Sequence, residues 1–190
     1  SVFRQPSPMT KTYSSFVLLD RDGVLNVDRS HSVRHRSEFE LIDGVPQAIE
    51  TINAKGYSVI VITNQACVGR GDLDADELEV IHEIMQREVE AADGKIDDIY
   101  VCPHVDADNC SCRKPKPGLL EDAQHDHGFR MQDTFFVGDD IRDMQAARGA
   151  DAQPAVVRTG KGMSWTPPEG VPVFDDLTDF AESLSPASIK

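Results

Sequence analysis

Several things are scarce in this chain, and each shortage excludes something. No apolar run in its 190 residues approaches the roughly 20 needed to cross a bilayer. Residues 1–15 lack the apolar core of a secretory signal and read as a polar, flexible arm. Positive charge is short: 19 Lys and Arg against 33 Asp and Glu leave a net charge of −14. So acidic a surface repels phosphate backbones and anionic membranes, so neither nucleic acid nor membrane is an expected partner. A small phosphorylated substrate stays open, because a local basic cluster or a bound cation overrides the net field. Internal repeats and low-complexity linkers are missing. Cysteine is sparse, four in all, and Cys102, Cys110 and Cys112 lie within eleven residues. That spacing makes a poor disulfide framework. The expected setting is a reducing cytoplasm, and the expected state a monomer.

What is present is an alternation of strands and helices. At roughly 150 residues per domain, the length suggests one domain, over 16–190. Strands are expected at 16–19, 57–62, 96–101, 134–137 and 155–158, from short apolar or β-branched runs. Helices are expected between them. Val45, Ala48, Ile49 and Ile52 share one face of the segment 44–56. Leu78, Ile81, Met85 and Val89 share a face of the next, with Asp74 at its N-cap. Further helices follow at 117–128 and 141–148, and a last one around Leu177, Phe180 and Leu184. This order predicts an α/β fold, a parallel sheet with helices on both faces. Ligands gather beyond the carboxyl ends of such strands. Polar clusters sit there, after Leu19, Ile62, Val101 and Val137.

Asp20 and Asp22 follow the first strand, with Gly23 behind them. Similar pairs occur at Asp72/Asp74, Asp74/Asp76 and Asp106/Asp108, so position and not spacing singles this one out. Asp139, Asp140 and Asp143 follow another strand. Acids on neighbouring strand ends repel unless protonated or bridged, and oxygen-only ligands point to Mg²⁺. Asp139 or Asp140 can equally cap the following helix. Thr63 and Lys114 offer a hydroxyl and an ammonium for phosphate oxygens. Alone, they read as a strand-end cap and a surface lysine. Cys102, His104, Cys110 and Cys112 offer three thiolates and an imidazole in a loop spanning 102–116 with few apolar residues. That set suits a closed, structural Zn²⁺ site. Cys67 reads as a separate core or loop thiol.

FVLLDRDGVLN (16–26), VITNQ (61–65), RKPKPG (113–118) and FVGDDIRDMQAA (136–147) resemble, in order, the four motifs of the haloacid-dehalogenase (HAD) phosphatase superfamily. The resemblance spans roughly residues 16–160. It implies a Rossmann-like HAD fold in which Asp20 is the nucleophile, forming an aspartyl-phosphate, and Asp22 the general acid and base. It implies Mg²⁺ held by Asp20, the Asp22 carbonyl and Asp139, with Asp140 a further candidate. Thr63 and Lys114 would hold the transferring phosphoryl group. The connections between strands leave no room for a large cap domain, so an open site is expected, walled by the zinc loop.

That loop is similar to one in the zinc-containing branch that holds the D,D-heptose 1,7-bisphosphate phosphatases and the histidinol-phosphatases. DRDGVLNVD (20–28), TNQACVGRG (63–71), CSCRKPKPG (110–118) and VRTGKG (157–162) look most like the heptose enzymes. The resemblance implies hydrolysis of the 7-phosphate of D-glycero-D-manno-heptose 1,7-bisphosphate, on the way to nucleotide-activated heptose for lipopolysaccharide and other surface glycans. A histidinol-phosphate phosphatase is the alternative. A receiver-like phospho-acceptor module and a zinc-stabilised binding protein with a dead site are more remote. Arg113 is the candidate for the second phosphate, since its planar fork grips phosphate or sugar oxygens. Asn64, Gln65, Ala66 and Arg70 are the next candidate substrate contacts, followed by Asp28, Arg29, Ser30 and His31. Two features depart from the family pattern. Residues 28–36 are unusually basic, and Asp140 stands where relatives often carry Lys or Ser.

Overall fold

The computed structural model describes residues 15–188. All but Ser15 of the expected arm therefore lies outside the described residues. Six strands form one sheet: β1 (Phe16–Leu19), β2 (Ser58–Asn64), β3 (Asp98–Cys102), β4 (Phe135–Gly138), β5 (Gln153–Val157) and β6 (Val173–Phe174). Their order is β3-β2-β1-β4-β5-β6, and every pairing is parallel. Helices α1 (Val45–Ala54), α2 (Ala66–Gly69), α3 (Ala75–Glu90), α4 (Gly118–His127), α5 (Ile141–Gly149) and α6 (Leu177–Ser183) fill the connections.

The pleat of β1 shows why both faces are covered. Val17 and Leu19 point to one side, where α1, α3 and α6 supply Ile49, Ile52, Met85, Val89 and Phe180. Phe16 and Leu18 point to the other, against Leu119, Leu120 and Ala123 of α4 and Ala146 and Ala147 of α5. Alternate side chains of a strand leave on opposite faces, so four consecutive apolar residues seed two cores.

Local signals act as their residue types suggest. Asp74 accepts the Glu77 N–H and starts α3, and Gly128, at φ 72°, ends α4. Two elements escape the sequence pattern, the four-residue α2 and the two-residue β6. Thr134 belongs to the turn before β4, where its hydroxyl donates to the Arg130 carbonyl.

The chain winds from β1 outward to β3, then returns to β4 beside β1. At that reversal the carboxyl ends of β1 and β4 open a crevice. The β1–β2 connection holds one short 3-10 turn (Arg36–Glu38) and α1, and the β3–β4 connection holds the cysteine loop and α4. Neither forms a cap domain, as expected.

Candidate active site

Three carboxylates meet at the reversal. Asp20 ends β1, Asp139 follows β4, and Asp143 lies in the first turn of α5. Each offers an oxygen within 4.8 Å of the others, and all three are buried. Lys114 reaches between them: its Nζ lies 2.8 Å from Asp20 Oδ1, 2.8 Å from Asp143 Oδ1 and 3.1 Å from the Ile62 carbonyl. Burial works against its charge, but Asp143 and Asp20 outweigh burial and hold the ammonium firmly protonated. Asp20 Oδ1 also accepts the Arg21 N–H at 2.8 Å, which leaves Oδ2 free of these bonds. Burial first, then the Asp143 charge, lifts Asp20 well above the usual carboxylate range. The same two causes lift Asp139 to about 7. One ammonium against three acids thus leaves negative charge uncompensated. The donors are all oxygen, the set a hard divalent cation such as Mg²⁺ prefers.

Asp22 is fastened on both oxygens. Oδ1 accepts from Arg21 Nη2 at 3.0 Å and Asn26 Nδ2 at 2.9 Å, and Oδ2 accepts from Gln65 Nε2 at 2.7 Å. Burial alone would raise its pKa, but Arg21 and these hydrogen bonds hold it below the ordinary value. Gly23 is required here: its φ is 85°, and a Cβ would overlap the Asp139 carboxylate.

The loop after β5 closes the far side. The Lys161 N–H donates to Asp139 Oδ2 at 2.8 Å, Trp165 Nε1 to the Asp139 carbonyl at 2.9 Å, and Thr159 Oγ1 to the Gly23 carbonyl at 2.7 Å. Sequence reasoning missed these supports, because nothing local in 158–165 says where its backbone lands. It also named Asp143 beside Asp139 and Asp140 without giving it a place among the candidate metal ligands. The signal was there. Asp140 and Asp143 form a capping box, which turns the Asp143 side chain back toward the Asp139 and Asp140 N–H groups.

Asp140, a further metal candidate in the sequence, takes the helix-cap role that the sequence left open for it. It is the N-cap of α5, accepting the Arg142 N–H at 3.0 Å and pairing with the Arg142 side chain. Asp143, not Asp140, completes the acid triangle.

A cavity of about 160 Å³ opens onto this group. Of the expected site residues, Asp20, Asp22, Lys114, Asp139 and Asp140 line it, together with Asp28, Asn64, Ala66, Arg70 and Arg113. Thr63 is fully buried beside it, its Oγ1 accepting from Gln65 Nε2 at 2.9 Å. Gln65 is turned inward onto Asp22 and Thr63, so it braces the acid and leaves the cavity wall to its neighbours. Arg29, Ser30 and His31 lie off the cavity. Arg29 is spent on the Glu38 carbonyl and Glu40, His31 contacts Glu38, and Ser30 is exposed. Ser32 lines the cavity instead. The basic stretch is largely neutralised: Arg36 forks onto Glu77 of α3, and Arg34 lies 3.3 Å from Asp72.

The cysteine loop brings its four expected ligands together. All four cysteines of the chain are free thiols. Zn–S bonds of about 2.3 Å set tetrahedral sulfurs roughly 3.8 Å apart. The Cys102 sulfur lies 3.7 Å from that of Cys110 and 3.2 Å from that of Cys112. His104 Nδ1 lies 3.5 Å from the Cys102 sulfur and 3.3 Å from that of Cys112. The four residues thus fit one tetrahedral ion. Cys67, apart from this group, is buried in a small core with Leu73, Leu78 and Ile81. The loop also aims Arg113, whose Nε donates to Asp106 Oδ1 at 2.6 Å.

Residues 111–180 match the HAD-hydrolase-like family. The chain is 41% identical over 174 residues to D-glycero-β-D-manno-heptose-1,7-bisphosphate 7-phosphatase of Neisseria meningitidis, covering 88% of this chain and 93% of that one. It is 39% identical over 173 residues to the protein of that name from Pseudomonas aeruginosa, covering 90% and 97%. Among solved structures, the D,D-heptose 1,7-bisphosphate phosphatase of Bordetella bronchiseptica, complexed with magnesium and phosphate, superposes with a TM-score of 0.85. It is 37% identical, over 88% of this chain and 96% of that one. With motifs, sheet order and relatives in agreement, the chain belongs to the HAD-like hydrolases, in the family of the heptose-1,7-bisphosphate 7-phosphatases.

Proposed function

We propose that this protein is a Mg²⁺-dependent phosphatase that removes the 7-phosphate of D-glycero-β-D-manno-heptose 1,7-bisphosphate. The observation that carries the reading is one cavity. It joins Asp20, Asp22, Asp139, Lys114 and Arg113 in a chain whose relatives, at 37–41% identity, bear that name. The relatives from Neisseria meningitidis and Pseudomonas aeruginosa both carry the heptose name, which favours this reading over histidinol phosphate.

Asp20 attacks the C7 phosphorus in line through Oδ2, the oxygen that Lys114 leaves free. The bond from phosphorus to O7 breaks, and Asp22 delivers a proton to the departing alcohol. Arg21 holds the resting Asp22 carboxyl ionised, and the anionic substrate raises it toward protonation. Water then attacks the aspartyl-phosphate, Asp22 takes its proton, and inorganic phosphate leaves Asp20. Lys114 and the Thr63 hydroxyl hold the phosphoryl oxygens between the two steps. Asp20, Asp139 and Asp143, with the Asp22 carbonyl, would hold Mg²⁺, which when bound neutralises charge on those oxygens. Arg113 receives the phosphate on C1. Cys102, His104, Cys110 and Cys112 would hold Zn²⁺, which when bound orders the loop that carries Arg113.

The protein works as a monomer in the cytoplasm. In support, its thiols are free, and among the described residues no helix is long and apolar enough to cross a membrane. The large apolar side chains left exposed among them are Ile141 and Met163.

The test is phosphate release with Mg²⁺ from each anomer of heptose 1,7-bisphosphate and from histidinol phosphate. The expected kcat/KM favours the β-bisphosphate over histidinol phosphate by about a hundredfold, roughly 2.7 kcal/mol of transition-state discrimination. Equal rates, or a preference for histidinol phosphate, would refute the substrate assignment.

A further inference from the structure

Arg21 sits between the two acids of the first motif, and its side chain is fully buried. Phe39 covers it, with its ring centroid 5.8 Å from the guanidinium carbon. Its Nε has no hydrogen-bond partner among the described residues. A buried guanidinium is costly to keep unless its donors are answered. Two are. Nη2 holds Asp22 Oδ1 at 3.0 Å, and Nη1 lies 3.1 Å from His82 Nε2.

His82 comes from α3, far along the chain, and is 9% exposed. Guanidinium nitrogens only donate, so the imidazole Nε2 must accept, and the ring proton belongs on Nδ1. Burial first, then the Arg21 charge, holds this histidine neutral down to about 3. A neutral acceptor there leaves the whole Arg21 charge facing Asp22.

We infer that His82 and Arg21 are positioning residues, a buried relay from α3 that orients the Asp22 carboxyl for proton transfer to the leaving alcohol. The guanidinium is planar, so fixing Nη1 on His82 also fixes the direction in which Nη2 presents to Asp22. Without His82, Nη1 becomes a second unanswered donor in a dry site. Arg21 then turns toward another acceptor, and Asp22 keeps only Asn26 and Gln65. The inference rests on the reading of Asp22 as the group that protonates the leaving oxygen.

Leaving-group dependence separates positioning from mere stability. Heptose O7 is an alkoxide and needs a proton to depart, whereas a nitrophenolate departs without one. Four proteins are compared, each loaded with Mg²⁺: wild type, Asp22→Asn, His82→Gln and His82→Asn. Glutamine places its oxygen where Nε2 was, whereas asparagine reaches only as far as Nδ1. Both are small and polar, and thermal melts of each check the fold. Both substrates need Asp22 again in the water step, so the rate compared is single-turnover release of the leaving group. Proton transfer contributes a hundredfold or more to such steps, so His82→Asn is expected to lose about tenfold or more in that rate on heptose bisphosphate. Its release of p-nitrophenolate stays near wild type, and His82→Gln restores most of the loss. Equal losses on both substrates, or equal behaviour of Gln and Asn, overturn the relay. Asp22→Asn keeps the two failures apart. If it spares the sugar phosphate, the reading of Asp22 falls and the relay with it. If Asp22→Asn loses that substrate selectively while His82→Asn does not, the relay alone falls.

Discussion

Asp20, Asp139 and Asp143 set three buried carboxylates against one buried ammonium, Lys114. Removing one acid therefore relieves repulsion while weakening the place for a cation. Asp143→Asn is expected to melt no lower than wild type without metal and to lose most of the rise in Tm that Mg²⁺ produces. An undiminished rise would place the ion elsewhere. Protons and Mg²⁺ also compete. The folded pKa of Asp139, about 7, lies above its unfolded value of 3.8. Its contribution to metal-free stability is thus fully present below the unfolded pKa and is lost as pH rises through 7. A cation displaces that proton, so the Mg²⁺-induced rise in Tm should be small near about pH 5.5 and grow toward about pH 8. A rise independent of pH would show that Asp139 does not titrate in the site. Asp20, Asp22, Asp139 and Lys114 were legible in the sequence because each stands in a short motif beside a strand end. His82 was not, because its place against Arg21 depends on how α3 packs, 61 residues away.

The cysteine loop is the element with the weakest core of its own. It holds few apolar side chains, and α2 packs closely on it: a Cβ on Gly69 would collide with the Pro103 carbonyl. A Zn²⁺ held by its four ligands would accordingly be its main source of order. Cys110→Ser should lose the zinc, by elemental analysis, and lower the Tm. One zinc per chain retained in that variant would mean that the ligand set is wrong. Because Asp106 in the same loop pins Arg113, Arg113→Ala should cost heptose bisphosphate turnover more than aryl phosphate turnover. Equal costs would remove its role in choosing the substrate. The loop was readable from its ligand spacing, and the long helices from their apolar faces. Two elements gave no such signal. The four residues of α2 are too few to show a helical period, and β6 exists through two pairings with β5, Val156 with Val173 and Val157 with Phe174.

At the scale of the whole molecule, a chain of net charge −14 must receive a bisphosphate. The cavity answers this locally. Five basic and six acidic side chains line it, so the formal balance without metal is about −1 and with one divalent cation about +1. The parallel sheet makes that concentration feasible, since its reversal collects the ends of β1 and β4 and the loops beyond them in one crevice. A parallel sheet with helices on both faces was predictable from the alternation of elements, but the balance of charge inside the cavity was not. It depends on Arg142 and Lys161 arriving from α5 and from the loop after β5. The central claim is that one particular phosphate is removed. The most direct measurement is phosphorus NMR of heptose 1,7-bisphosphate during turnover with Mg²⁺, with Asp20→Asn as the inactive control. The account predicts that the C7 resonance is replaced by inorganic phosphate while the C1 resonance persists, and that Asp20→Asn changes neither. Loss of the C1 phosphate, or turnover by Asp20→Asn, would contradict it.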